Sequence, residues 1–127
     1  MLINDFYTTE ELVNGQDVIT ARLLWNIDHA IFAGHFPGQP VVPGVCMIQI
    51  VQETLAGCLG KTIDLLESNQ IKFLQFIDPR VNPVVNLQIT YSVTDDSLLV
   101  NASLLKEKTI FFKFQGSYGF EKNKQFP

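Results

Sequence analysis

The sequence predicts an α+β fold in which an antiparallel, curved sheet wraps around one central helix. Two observations predict it. Residues 44–60 carry apolar side chains around most of a helical circumference, the pattern of a helix buried on nearly all sides. After that stretch the apolar period changes from 3.6 to 2, as it does when a chain passes from helix to strands. Ten Phe add to the picture, since they need a thick core or a subunit interface to receive them. The length suits a single domain spanning residues 1–127, large enough to stand without disulfide or metal staples.

The elements follow in order. Residues 2–8 read as a short strand and 8–12, Thr-Thr-Glu-Glu-Leu, as a brief helical turn. Asn14-Gly15 signals a turn. Residues 17–26 are rich in β-branched and aromatic types and predict a strand. The prolines and glycines of residues 29–43 predict irregular chain. Pro43-Gly44 opens the central helix, and Gly57 or Gly60 ends it. Its one less apolar stripe is Gln49, Gln52, Glu53, Ala56 and Gly60. Strands are then predicted over 70–77, 86–93, 98–105 and 109–120, with turns at Asp78-Pro79-Arg80, Thr94-Asp95-Asp96-Ser97 and Lys106-Glu107-Lys108. The tail from Glu121 is polar. One concave sheet covers only part of such a helix, so at least a dimer is expected.

Composition narrows the function classes. A hydrophobic content of 46% with 17% charged residues is that of a globular protein. A net charge of −4 argues against a nucleic-acid binder. Five of the nine basic residues, Lys106, Lys108, Lys113, Lys122 and Lys124, fall late in the chain, where they read as a solvated surface. No apolar run approaches the ~18 residues of a membrane span, and no basic segment precedes Arg22 as it would in a signal peptide. A cytoplasmic location with no membrane contact is therefore expected. Cys46 and Cys58 would lie roughly 18 Å apart along the helix, too far for a disulfide, and are expected as free thiols. No Cys/His pair has zinc spacing, and Gly34, Gly38 and Gly44 do not match a phosphate-binding loop. Neither a metal nor a cofactor is expected.

The segment Gly34-His35-Phe36-Pro37-Gly38-Gln39-Pro40-Val41-Val42-Pro43-Gly44-Val45 sets a histidine in a proline-stiffened loop that feeds the central helix. An imidazole can be a neutral base near pH 7. The first turn of a helix offers free N–H groups and the positive end of the helix dipole. Together with Asn26-Ile27-Asp28-His29 upstream, and Ile71-Lys72-Phe73 and Ile77-Asp78-Pro79 downstream, this loop resembles the 3-hydroxyacyl-acyl-carrier-protein dehydratases of bacterial fatty acid synthesis, which have the hot-dog fold. The resemblance covers about residues 17–94.

The resemblance implies that His35 removes a proton beside a thioester carbonyl and that the N–H of Gly44 stabilises the enolate oxygen. Phe36, Pro43, Val45 and Phe73 would contact the substrate, with Phe76 and Phe112 as further candidates for closing the acyl tunnel. It implies no cofactor beyond the phosphopantetheine arm that the substrate brings. It implies an acyl carrier protein or acyl-CoA as partner, with Lys72 and Arg80 as docking candidates, and a homodimer or larger homo-oligomer, or a hetero-oligomer with an active homologue. His29 lies outside the matched catalytic position and reads as structural or surface. The family carries an acid fourteen positions after the histidine; here that position is Gln49, and Glu53 stands one turn later. An amide has no proton of useful acidity. Glu53 could reach the site through Gln49 or a water, or serve elsewhere. Two functions are thus expected: a dehydratase with altered acid assistance, or an acyl-thioester binding subunit or thioesterase of the same fold.

Overall fold

The computed structural model describes residues 1–34 and 38–120. Its elements are β1 (Tyr7–Asn14), β2 (Val18–Trp25), α1 (Ala30–Gly34), α2 (Gly44–Leu59), β3 (Ile63–Phe73), β4 (Val84–Val93), β5 (Ser97–Lys106) and β6 (Thr109–Phe120). The strands form one antiparallel sheet in the order β1-β2-β4-β5-β6-β3. The predicted architecture is the observed one, a hot-dog fold.

Alternation builds the sheet. Leu87 and Ile89 of β4, Leu98, Val100 and Leu104 of β5, and Phe112, Phe114 and Tyr118 of β6 all turn inward and are buried. They pack against Met47, Ile50, Val51 and Leu55 of α2 in a single core. The helix closes at Gly60, whose φ of 62° is left-handed and whose N–H bonds Ala56 O. Cys46 is buried and Cys58 half-buried, and both are free thiols. Burial pushes both thiols up in pKa, and the charge of Glu53 adds to the effect at Cys46.

Four expectations change. Residues 8–12 are strand, not a helical turn: a shift of register between Glu10 and Val13 lets β1 continue, with Glu11 at a φ of 51° inside the irregularity. The short strand expected over 2–8 is instead a tight turn, with Asn4 at a φ of 66° and Phe6 N–H bonded to Leu2 O at 2.7 Å, leading into β1. Residues 30–34, expected to be irregular, form α1. The strand expected over 70–77 begins at Ile63 and ends at Phe73. Its sequence gives little sign of it because β3 is an edge strand, exposed along nearly its whole length, and carries no alternation.

A bulge in β6 ties the end of β3 to the central helix. Leu104 pairs with Phe112 and Leu105 with Ile110, so Phe111 is the extra residue. Its carbonyl is thereby free to accept from Leu74 N at 2.8 Å and Gln75 N at 3.3 Å. This holds the chain beyond β3 against the start of α2.

Candidate active site at the start of the central helix

A cavity of about 400 Å³ opens at the first turn of α2, lined by Val42, Pro43, Gly44, Met47, Phe73 and Phe76 among others. Pro43 is the residue before the helix, with φ −65° and ψ 145°, and caps it with no side-chain hydrogen bond. Its carbonyl accepts from Cys46 N and Met47 N at 3.0 and 3.2 Å. The N–H groups of Gly44 and Val45 precede the first helical bonds and have no acceptor among the described residues. Gly44, which lines the cavity, thus brings to it an N–H donor and the positive end of the helix dipole.

Gly44 is required by contact. A Cβ at this position would stand 2.7 Å from Cζ and 2.8 Å from Cε1 of Phe73, so the ring lies directly on the glycine backbone. Phe73 is in turn backed by Phe112, at a ring separation of 5.4 Å. The aromatic wall therefore reaches the helix only because residue 44 has no side chain.

Of the residues singled out in the sequence, Pro43, Gly44, Phe73 and Phe76 meet at this cavity, and Phe112 supports it from behind. Val45 does not: it is 75% exposed, because one helical step turns it out from the cavity. Gln49, one turn after Val45 on the same face, is half-buried and makes no side-chain hydrogen bond among the described residues. His35 and Phe36 lie outside the described residues. Val41, Val42, Met47, Leu74 and Gln75 also line the cavity and were not singled out. For Leu74 and Gln75 the sequence carried no signal, since a bulge in another strand places them.

Glu53 has partners far away in sequence. Its carboxylate accepts from Leu2 N at 3.0 and 2.8 Å, one bond to each oxygen, from Ile3 N at 2.8 Å and from the Tyr7 hydroxyl at 3.3 Å. Both oxygens are thus taken up by the N-terminal segment, a different task from the acid role considered in the sequence. Burial first, then the charge of Glu53, drives the Tyr7 hydroxyl far up in pKa. Gln52 also has a structural bond, from Nε2 to Ile63 O at 3.1 Å.

His29 takes the structural place read for it. Its Nδ1 accepts from Ile31 N at 3.0 Å, so a neutral ring carries its proton on Nε2, which lies 3.1 Å from Asp5 Oδ2. Arg80 is bound to Asp78 at 2.9 and 3.2 Å, and those hydrogen bonds hold the Asp78 carboxyl below the usual carboxylate range. Lys72 pairs in register with Lys113 on the outer face of the sheet, and neither lysine joins an ion pair among the described residues. No group of three metal-ligating side chains occurs among the described residues. No described helix is long and apolar enough to cross a membrane.

The family model described as ApeI-like, ApeI dehydratase, matches residues 11–115. The 3-hydroxyacyl-[acyl-carrier-protein] dehydratase FabZ of Caulobacter vibrioides is 32% identical over 92 residues, which cover 71% of this chain and 53% of that protein. FabZ of Ralstonia nicotianae is 35% identical over 85 residues, covering 66% and 48%. The chain therefore spans about half the length of the curated relatives it matches. Among solved structures, the dehydratase heterocomplex ApeI:P of Xenorhabdus doucetiae superposes with a TM-score of 0.72 at 19% identity, over 89% of this chain and 97% of that one. A thioesterase of Haemophilus influenzae superposes with a TM-score of 0.61 at 17% identity, over 87% and 76%. At these identities the solved structures speak for the fold.

Proposed function

This chain belongs to the ApeI-like dehydratase family, and we propose that it acts on 3-hydroxyacyl thioesters carried by an acyl carrier protein or coenzyme A, eliminating water to give a trans-2-enoyl chain. The observation that carries the reading is the apolar cavity that ends on Gly44 at the start of α2, whose N–H has no acceptor among the described residues. In this reading the acyl chain lies along Phe73 and Phe76 and the thioester oxygen sits at the N–H of Gly44. His35 takes the proton from C2. The electron pair forms the C2–C3 double bond as the C3–O bond breaks. The hydroxyl leaves as water with the proton that His35 took from C2, while the Gln49 amide can hold the hydroxyl but not protonate it. Lys72 and Lys113 are two cations without an ion pair among the described residues that could meet an acidic carrier; Arg80 is already paired with Asp78.

A specific feature favours a second chain in the working unit. Gln49, without a side-chain hydrogen bond among the described residues, lies one turn from the exposed Val45 on the same helix face. Along β3, Leu65, Leu66 and Ile71 are exposed on an unpaired edge. A second copy, or a homologue bearing a carboxylic acid at the place of Gln49, would cover both surfaces. The Xenorhabdus doucetiae heterocomplex is a precedent for two chains assembled as a dehydratase.

The test is an assay of the purified protein on a 3-hydroxyacyl thioester, following enoyl formation and thiol release separately. Enoyl formation is expected, abolished in His35→Ala and raised about 100-fold in Gln49→Glu, the low end of general-acid contributions. Thiol release without enoyl formation would replace the dehydratase reading with a thioesterase. Unchanged turnover in His35→Ala would remove the base.

A further inference from the structure

We propose that Glu53 is a positioning residue for this reaction: through the N-terminal strap, residues 2–6, it fixes α1, the helix whose next residue in the chain is His35. The inference rests on the reading of His35 as the base.

A continuous set of contacts leads from the carboxylate to α1. Glu53 binds the strap at Leu2 N and Ile3 N, at 2.8–3.0 Å. The strap is itself closed into a tight turn by Asn4 N to Tyr7 O and Phe6 N to Leu2 O, both 2.7 Å. Its far side is stitched to the chain entering α1: Asn26 N donates to Phe6 O at 2.9 Å and Asn26 Nδ2 to Asp5 O at 2.8 Å. Phe6 is fully buried; it stacks on Phe32 of α1 at 4.9 Å and meets the edge of His29 at 5.4 Å. His29 then receives the first amides of α1, with Ile31 N on its ring nitrogen and Phe32 N on its carbonyl.

The chemistry of residue 53 suits this task. Two backbone N–H groups and a hydroxyl converge on one side chain, and an ionised carboxylate accepts from all of them with no donor to place. A helix of five residues is too short to hold itself, since helix nucleation is unfavourable. Its place is set by Phe6, and the strap that carries Phe6 is fastened by Glu53. A displacement of about 1 Å at a reacting group costs on the order of 100-fold in rate.

The experiment compares wild type, Glu53→Ala, Glu53→Gln and Phe6→Leu by steady-state kinetics on a 3-hydroxyacyl thioester and by amide hydrogen exchange. Glu53→Ala is expected to lower kcat about 10- to 100-fold with KM changed less than about threefold, in keeping with lost orientation. Exchange should quicken at Phe6, Asn26 and Phe32 together. Glu53→Gln, which keeps an acceptor oxygen, should retain about a third or more of kcat. Phe6→Leu should show the same loss of kcat with Glu53 intact, which covers the case of an alanine variant that does not fold. Two results overturn the proposal. A glutamine variant as inactive as the alanine one, with Phe32 exchange unchanged, makes Glu53 a proton donor. Quickened exchange confined to residues 2–7 with wild-type kcat makes the strap a local fastening only. If wild type forms no enoyl product, the reading of the base fails by itself, and exchange at Phe32 still decides whether strap and α1 move together.

Discussion

The first turn of α2 and the turn around Glu53 lie on one helix and handle polar groups in opposite ways. At the first turn, the N–H groups of Gly44 and Val45 have no acceptor among the described residues, and Gly44 lines a cavity; one turn on, the Gln49 amide makes no side-chain hydrogen bond among them. Around Glu53 both carboxylate oxygens are engaged by chain from the far end of the sequence. The helix leaves donors unspent at its start and engages its carboxylate with the N-terminal segment. Both turns are equally helical, so the difference comes from what packs against each of them.

The comparison can be broken at its open end first. Gly44→Ala puts a methyl 2.7 Å from the Phe73 ring. Either the ring or the first turn has to move, and turnover should fall on the order of 100-fold, as for a misplaced catalytic group. Steady-state kinetics with a melting curve would check this, with the melting point moving far less than the rate.

At the closed end the expected effect is on stability. Glu53→Ala removes charge-assisted hydrogen bonds and orphans Leu2 N–H and Ile3 N–H, at a cost of about 2–4 kcal/mol. Gln49→Ala removes no hydrogen bond among the described residues and should cost less than about 0.5 kcal/mol. Denaturant unfolding of the two variants side by side gives the contrast; equal losses would mean that Gln49 is also tied down.

The smallest effect concerns a buried group that resembles neither end. The Tyr118 hydroxyl is buried and has no hydrogen-bond partner among the described residues, and burial pushes its pKa up to about 12. Its folded value thus lies above the unfolded value of about 10. Its contribution is complete below pH ~10, and stability falls as pH rises from there to about 12, because the unfolded chain loses the proton first. Tyr118→Phe should flatten that alkaline loss in unfolding experiments. At neutral pH it should change stability by no more than about 1 kcal/mol, since no bond is broken.

Much of the fold was legible because its signals are local. The alternation of residues 86–93 and 109–120 survives as β4 and β6, and the apolar helix ends at Gly60, where a left-handed residue is needed. β3 was half missed because an exposed edge has no inner face to imprint a pattern, and α1 because five residues carry too little periodicity. In the site, Pro43 and Gly44 were legible from a loop motif and Phe73 from the downstream Ile71-Lys72-Phe73 segment. The anchoring of Glu53 was not: its partners are 46 to 51 residues away, and no local pattern encodes a meeting at that range.

The contact between Gly44 and Phe73 also bears on how such a pocket can be changed, in a laboratory or over generations. The two positions behave as one mutational unit. Substituted singly, residue 44 gains a side chain only if the Phe73 ring or the first turn gives way, because the ring occupies the space a Cβ would take. A smaller residue at 73 removes that veto and admits alanine at 44. The easier order of steps follows: shrinking the wall first makes room for the floor to grow, whereas the reverse order has to displace the ring.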